Sequence, residues 1–205
     1  MKIKIFKADL ADMEAILQLQ YTAYQSEAEI NNNYEIQPLK QTLDELNDEF
    51  NKGIILKAVL DGKIIGSVRA YADGHTVYIG KLIVHPEHQG KGYGKRLLAT
   101  VEGKLHRKRF ELFTSGRSER NLKLYEKAGY KQFREETDES GITFVYLEKK
   151  HDDGTHIALG MCFGSAFGLL LGTVMDNIGL WMPIGIALGL SLGVSFGEAS
   201  KNSKK

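Results

Sequence analysis

Between residues 157 and 197 the chain carries one charged residue, Asp176, while glycine recurs at every fourth position through most of that stretch. Gly160, Gly164, Gly168 and Gly172 make one row, and Gly185, Gly189, Gly193 and Gly197 make another. In water so much glycine disfavours a helix by up to about 1 kcal/mol per residue. In lipid the same spacing lets two helix backbones approach closely, and helix association there rests on such packing. The two uncharged runs, 157–175 and 178–196, hold 19 residues each. As helices they would be about 28 Å long, against an apolar bilayer thickness of about 30 Å.

A glycine-rich helical hairpin is therefore expected across 151–205, either as a transmembrane segment or as an oligomerisation segment that joins copies through its glycine seams. The membrane is the preferred reading. Pro183 counts for the other, because a loop running from Asp176 to Pro183 would leave a second helix of about 14 residues, too short to span. Lys149 and Lys150 precede the pair, and Lys201, Lys204 and Lys205 follow it. That excess of lysine puts both ends, and residues 1–150 with them, in the cytoplasm at the inner face of the cell membrane. Trp181 then falls near the far interface.

Residues 1–150 are mixed and charged, with a length suited to one domain. The net charge of the chain is +1 and its basic residues are scattered, which argues against a nucleic-acid partner. Cys162 is the single cysteine, so a disulfide framework and any multi-cysteine metal site are excluded. Met1 to Asp9 lacks the apolar core of a signal peptide.

Hydrophobic periodicity predicts the elements of this domain. Lys2 to Ala8 alternates as a strand, and Leu10, Met13, Leu17, Tyr21 and Tyr24 recur at helical spacing. A polar break at Asn31 to Asn33 and Pro38 precedes a second amphipathic segment, Leu39 to Phe50. Ile54 to Leu60 and Ile64 to Tyr71 read as strands joined through Asp61-Gly62, a strong hairpin signal. A fourth strand follows over Thr76 to Val84, then a glycine loop and a helix beginning near Lys95. Arg109 to Thr114, Asn121 to Ala128, Tyr130 to Phe133 and Ile142 to Leu147 complete the order βααβββαβαββ. The expected class is α/β or α+β, a sheet with helices on its faces.

Gln89-Gly90-Lys91-Gly92-Tyr93-Gly94-Lys95 sets three glycines at alternate positions where a strand gives way to a helix. Such a turn brings backbone N–H groups close to a ligand, and the helix start favours an anion. Lys91, Lys95 and Arg96 add positive charge, so a diphosphate suits the loop. The Walker pattern fails because Arg96, not Ser or Thr, follows Lys95. A dinucleotide fold fails because these glycines follow several strands rather than the first.

With Leu82-Ile83-Val84 ahead of the loop and the turn His85-Pro86-Glu87 between them, Gln89, Gly92 and Gly94 match the pattern Gln/Arg-x-x-Gly-x-Gly/Ala. Asn121, Tyr125 and Gly129-Tyr130 match Asn-x-x-x-Tyr-x-x-x-Gly-Phe/Tyr. Together these motifs, within residues 1–148, resemble the superfamily of N-acetyltransferases abbreviated GNAT. The resemblance implies a mixed central sheet flanked by helices, and acetyl-CoA as acetyl donor. It places the donor against Leu82, Ile83 and Val84, against the loop from Gln89 through Gly90, Lys91, Gly92, Tyr93 and Gly94 to Lys95, and against Asn121. It implies that Tyr125 gives a proton to the departing thiolate, and that the acceptor is a primary amine on a small molecule or a protein.

The sequence departs from the family at Tyr78-Ile79-Gly80-Lys81, where many members have a glutamate. That leaves the general base unassigned. His75, His85, His88, Glu27, Glu29 and Glu35 each read first as solvated loop residues, and His85 with His88 is not expected to hold a metal. Glu27, Glu29 and Glu35 border the expected acceptor site and lean towards a cationic amine. The alternative function is a non-catalytic acyl-CoA-binding module anchored to a membrane.

Overall fold

Seven strands form one sheet in the computed structural model of the protein, in the order β1-β2-β3-β4-β5-β7-β6. They are β1 (Lys4–Lys7), β2 (Ile54–Leu60), β3 (Lys63–Asp73), β4 (Thr76–Val84), β5 (Arg109–Ser115), β6 (Lys131–Thr137) and β7 (Thr143–Lys150). The helices are α1 (Met13–Asn31), α2 (Gln37–Lys40), α3 (Leu43–Lys52), α4 (Tyr93–Lys104), α5 (Glu119–Lys127), α6 (Thr155–Val174) and α7 (Ile178–Asn202). The structure describes residues 3–150 and 155–202, and in the last stretch the side chains of 157–195. The chain divides into two compact units, Met1–His151 and Asp152–Lys205.

In the first unit the sheet is antiparallel except where β4 runs parallel to β5. One face packs on α4 and α5 through Leu56, Val68, Val77, Leu97, Leu98, Phe110 and Leu147, all at most 1% exposed. On the other face α1 and α3 cover β2 with Met13, Ile16, Leu17, Leu46 and Ile55. The amphipathic stretch read as one segment is two helices. Gln41 leaves helical geometry, and Thr42 restarts the chain with a capping box in which its hydroxyl accepts from Glu45 N and Glu45 carboxylate accepts from Thr42 N. That reciprocal cap is favoured over carrying the helix through a residue with extended backbone. Helix α1 also runs seven residues past Tyr24, ending where Asn32 adopts φ 50°.

β4 carries the main irregularity. Ser67 pairs with Ile83 and Arg69 with Gly80, so Lys81 and Leu82 together stand opposite Val68 as a β-bulge. Lys81 has φ 48°, a left-handed conformation uncommon for a residue with a side chain and one that concentrates at functional sites.

In the second unit α6 and α7 pack against each other along their glycine rows. A methyl group added to Gly168 would lie 2.6 Å from the Trp181 carbonyl oxygen, and one added to Gly172 would lie 2.7 Å from Ile178 Cα. Gly160 and Gly164 press in the same way on the backbone of Gly189 and Gly185. The seams expected to serve a homo-oligomer are therefore closed on each other inside one chain, because only glycine lets the two backbones come this near. Pro183 lies within α7, whose first residue is Ile178, so the loop is short and the second helix keeps a spanning length. The apolar side chains point outward instead: Phe163 is 73% exposed, Leu170 65% and Val174 80%.

Candidate active site

β4 and β5 pair only where Thr76–Tyr78 meets Arg109–Glu111. Beyond that point β5 keeps its bonds to β7 through Ser115, while Ile79–Val84 diverges from it. The gap opens a cleft of about 1950 Å³. Its walls include the unpaired side of β4, the start of α4, the N-terminal half of α5 and the C-terminal half of α1.

The glycine loop forms one end. Gly90 and Gly92 have φ 77° and 78°, and a side chain at either would project into open space, so ligand atoms can approach the backbone. Gly92 caps α4, which starts at Tyr93, two residues before the expected Lys95, because a left-handed glycine can turn the chain straight into the helix. The N–H groups of the first turn then face the cleft without intrahelical acceptors. Leu82, Ile83, Val84, Gln89, Gly90, Gly92, Tyr93, Gly94, Lys95 and Asn121 all line it. This donor set fits a diphosphate and an extended arm lying along β4.

Three of the residues expected to meet the donor have partners within the protein. Lys91 is not among the lining residues; its ammonium donates to the Glu87 carbonyl at 3.0 Å. Gln89 braces the loop, donating to the Val84 carbonyl at 2.9 Å and accepting from Arg120. Asn121 donates to Glu27 Oε1 at 3.0 Å and Thr114 Oγ1 at 3.3 Å, while Ser118 donates to Glu27 Oε2. Glu27 thus ties α1 to α5 across the cleft.

Tyr125 is 7% exposed, packed edge-on against Tyr130 with ring centroids 6.1 Å apart. Burial pushes its phenol well above the usual tyrosine range, and Tyr24 and Glu27 push the same way. Burial also raises Tyr24, to about 12, with Arg69 opposing and Glu27 and Glu49 adding. Both phenols hold their protons at neutral pH.

The other candidate bases separate. Glu35 pairs with Lys40 on the surface, His75 and Glu29 are exposed, and Glu27 is engaged as described. His85, Glu87 and His88 each place a donor atom within 4.8 Å of the others. The sequence reading joined no carboxylate to that histidine pair, but the short turn Pro86–His88 does. A single turn would leave most of a metal's coordination sphere to solvent.

A polar group that sequence reasoning missed sits beside the bulge. Arg69 of β3 donates to Glu49 Oε2 at 2.6 Å, and Lys81 lies 3.4 Å from Glu49 Oε1. Burial alone would raise the Glu49 pKa, but Arg69, Lys81 and Gln41 hold it below the ordinary carboxylate value. Nothing in the spacing of positions 49, 69 and 81 signals this meeting, because three different elements bring them together.

Residues 11–130 match the acetyltransferase (GNAT) family. The chain belongs to that family. Residues 148–199, which take in most of the second unit, match the glycine zipper membrane protein family. An acetyltransferase of Sodalis glossinidius (strain morsitans) is 30% identical over 80 residues, covering 38% of this chain and 56% of that protein. The chain thus spans little more than half the length of that relative. Two solved structures share the fold. The PaiA N-acetyltransferase of Thermoplasma acidophilum, in complex with coenzyme A, superposes with a TM-score of 0.63 at 20% identity, covering 74% of this chain and 100% of that one. A Salmonella typhimurium protein with its cofactor acetyl-CoA superposes with a TM-score of 0.60 at 16% identity, covering 75% of this chain and 96% of that one.

Proposed function

We propose that this protein is a membrane-anchored N-acetyltransferase that moves an acetyl group from acetyl-CoA to a primary amine. The observation that carries the reading is the splay of β4 from β5 beside a glycine-capped helix start, with a protonated tyrosine in the wall. Acetyl-CoA supplies the thioester. The first-turn amides of α4 and the flanking Lys95 hold its diphosphate, and the unpaired edge of β4 holds its arm. Backbone N–H groups near the Lys81 bulge are placed to bind the acyl oxygen as it gains negative charge. Tyr125 gives its proton to the leaving thiolate. Asn121 lines the cleft and is held there by Glu27 and Thr114.

The hairpin α6–α7 holds this unit at the membrane. Its apolar windows, Ile157–Val174 and Ile178–Ser195, have 18 residues each, about 27 Å of helix, enough to cross the apolar layer. With Asp176 and Asn177 at the turn and lysines beyond both ends, the enzyme lies on the cytoplasmic side. A cysteine at Asp176→Cys, in a Cys162→Ser background, is expected to react with an impermeant thiol reagent applied outside intact cells. Reaction only after lysis reverses the topology.

The enzymatic test is thiol release from acetyl-CoA by the full chain in detergent, against a panel of amines. Amine-dependent release is expected. Binding of acetyl-CoA with no release from any amine would favour an acyl-CoA-binding module, the reading that the missing β4 carboxylate supports.

A further inference from the structure

The acceptor half of the cleft holds a charge arrangement that the donor site does not use. Arg69 is 6% exposed. Its Nη1 donates to Gln41 Oε1 at 2.9 Å and Glu49 Oε2 at 2.6 Å, and its Nη2 donates to Gln20 Oε1. Lys81 reaches the same group from the bulge, donating to Gln37 Oε1 and Gln41 Oε1 at 3.0 Å each. Two cations therefore share one carboxylate, Glu49. The next acidic group, Glu45, is exposed and holds the Thr42 amide.

Buried charge is costly unless it is paired and fully hydrogen-bonded. Here the pairing is incomplete, and Arg69 Nε is covered and has no hydrogen-bond partner. Burial pushes the Lys81 ammonium below its ordinary value, Glu49 and more weakly Glu45 oppose, and Arg69 adds to the fall. Arg69, Lys81 and Glu49 all line the cleft, next to the β4 bulge where acyl transfer is placed. Glu27 and Glu35, two of the three acidic residues that lean towards a cationic amine, are engaged with other side chains.

We propose that the Arg69–Lys81 pair receives a carboxylate on the acceptor, so that the acceptor is an amino acid, carrying amine and carboxylate on one small molecule. This rests on the acetyl-transfer reading. A carboxylate matches the excess of one positive charge; a phosphate would bring more negative charge than the cluster lacks.

The test uses the full chain in detergent, with glycine, alanine, glutamate, lysine and phenylalanine each compared with its carboxamide in the thiol-release assay. At least tenfold higher kcat/KM for the best acid than for its amide is expected. Lys81→Met, and separately Arg69→Lys, should collapse that ratio towards one. Glu49→Gln should raise the ratio, since it removes the internal carboxylate that competes for the same two cations; a purely structural role for Glu49 would not improve acid recognition. Amides used as well as acids, or a ratio indifferent to Lys81→Met, overturn the proposal. If no acid or amide releases thiol although acetyl-CoA binds, the transfer reading fails, and calorimetry with the N-acetyl acids and N-acetyl amides decides the carboxylate site. Tighter binding of the N-acetyl acids keeps it, and equal or absent binding removes it.

Discussion

Tyr125, Gly92 and Glu49 each make a separate demand on experiment. Replacing Tyr125 by Phe removes the hydroxyl and keeps the edge-on contact with Tyr130. Its kcat is expected to fall about 10²-fold or more, the usual range for a lost general acid, with acetyl-CoA affinity retained in calorimetry. Gly92→Asp sets a carboxylate into the open space before the first amides of α4 and should abolish acetyl-CoA binding. Gly92→Asn is the control, because Asn tolerates a left-handed backbone and carries no charge; similar losses in both would shift the cause from charge to backbone. Glu49 has a pKa held below its ordinary 4.5, so its ion pairs stabilise the fold above that value. The contribution disappears as pH falls through the lowered pKa, and Glu49→Gln should flatten the acid limb of the stability profile below about pH 4.5. At this scale the loop glycines stood out by their spacing, and Tyr125 was singled out by the family resemblance. Glu49 was not, since a glutamate on an amphipathic helix looks like any solvated one until Arg69 and Lys81 are placed against it.

The elements differ in how far local rules determine them. β2 and β4 begin and end where the sequence predicts, because apolar and β-branched runs bounded by turn residues mark them, although each carries a break in register. The break between α2 and α3 is written locally, in Thr42 and Glu45, although periodicity alone hides it. Thr42→Ala should lower stability by about 1 kcal/mol in denaturant unfolding. The bulge in β4 has no local signature, because it is a mismatch of register with β3 and exists only in the pair. In the hairpin, Gly168→Val would drive a side chain into the Trp181 carbonyl, while Gly179 meets nothing nearer than Asn177 Oδ1 at 4.0 Å. Emission from Trp181, the single tryptophan, should shift in Gly168→Val and stay in place in Gly179→Ala. Equal spectra would mean that the seam does not hold the helices together.

For the whole molecule, the division of labour between the two units predicts a clean separation. The full chain should float with lipid vesicles and resist alkaline extraction, whereas residues 1–150 should stay in solution and still bind acetyl-CoA; a full chain that stays soluble without detergent would overturn the membrane assignment. The amino-acid sequence by itself determined the two-part organisation, the order of the elements apart from the split between α2 and α3, the glycine loop and the glycine rows, because each is a pattern over neighbouring residues and obeys helix, strand or turn geometry. Only the tertiary structure decided that the rows close on each other within one chain, that β4 leaves β5 after three residue pairs, and that Glu49, Arg69 and Lys81 converge. Those outcomes depend on which surfaces meet in space, and charges separated by many residues in the chain acquire their chemistry only from the burial they come to share.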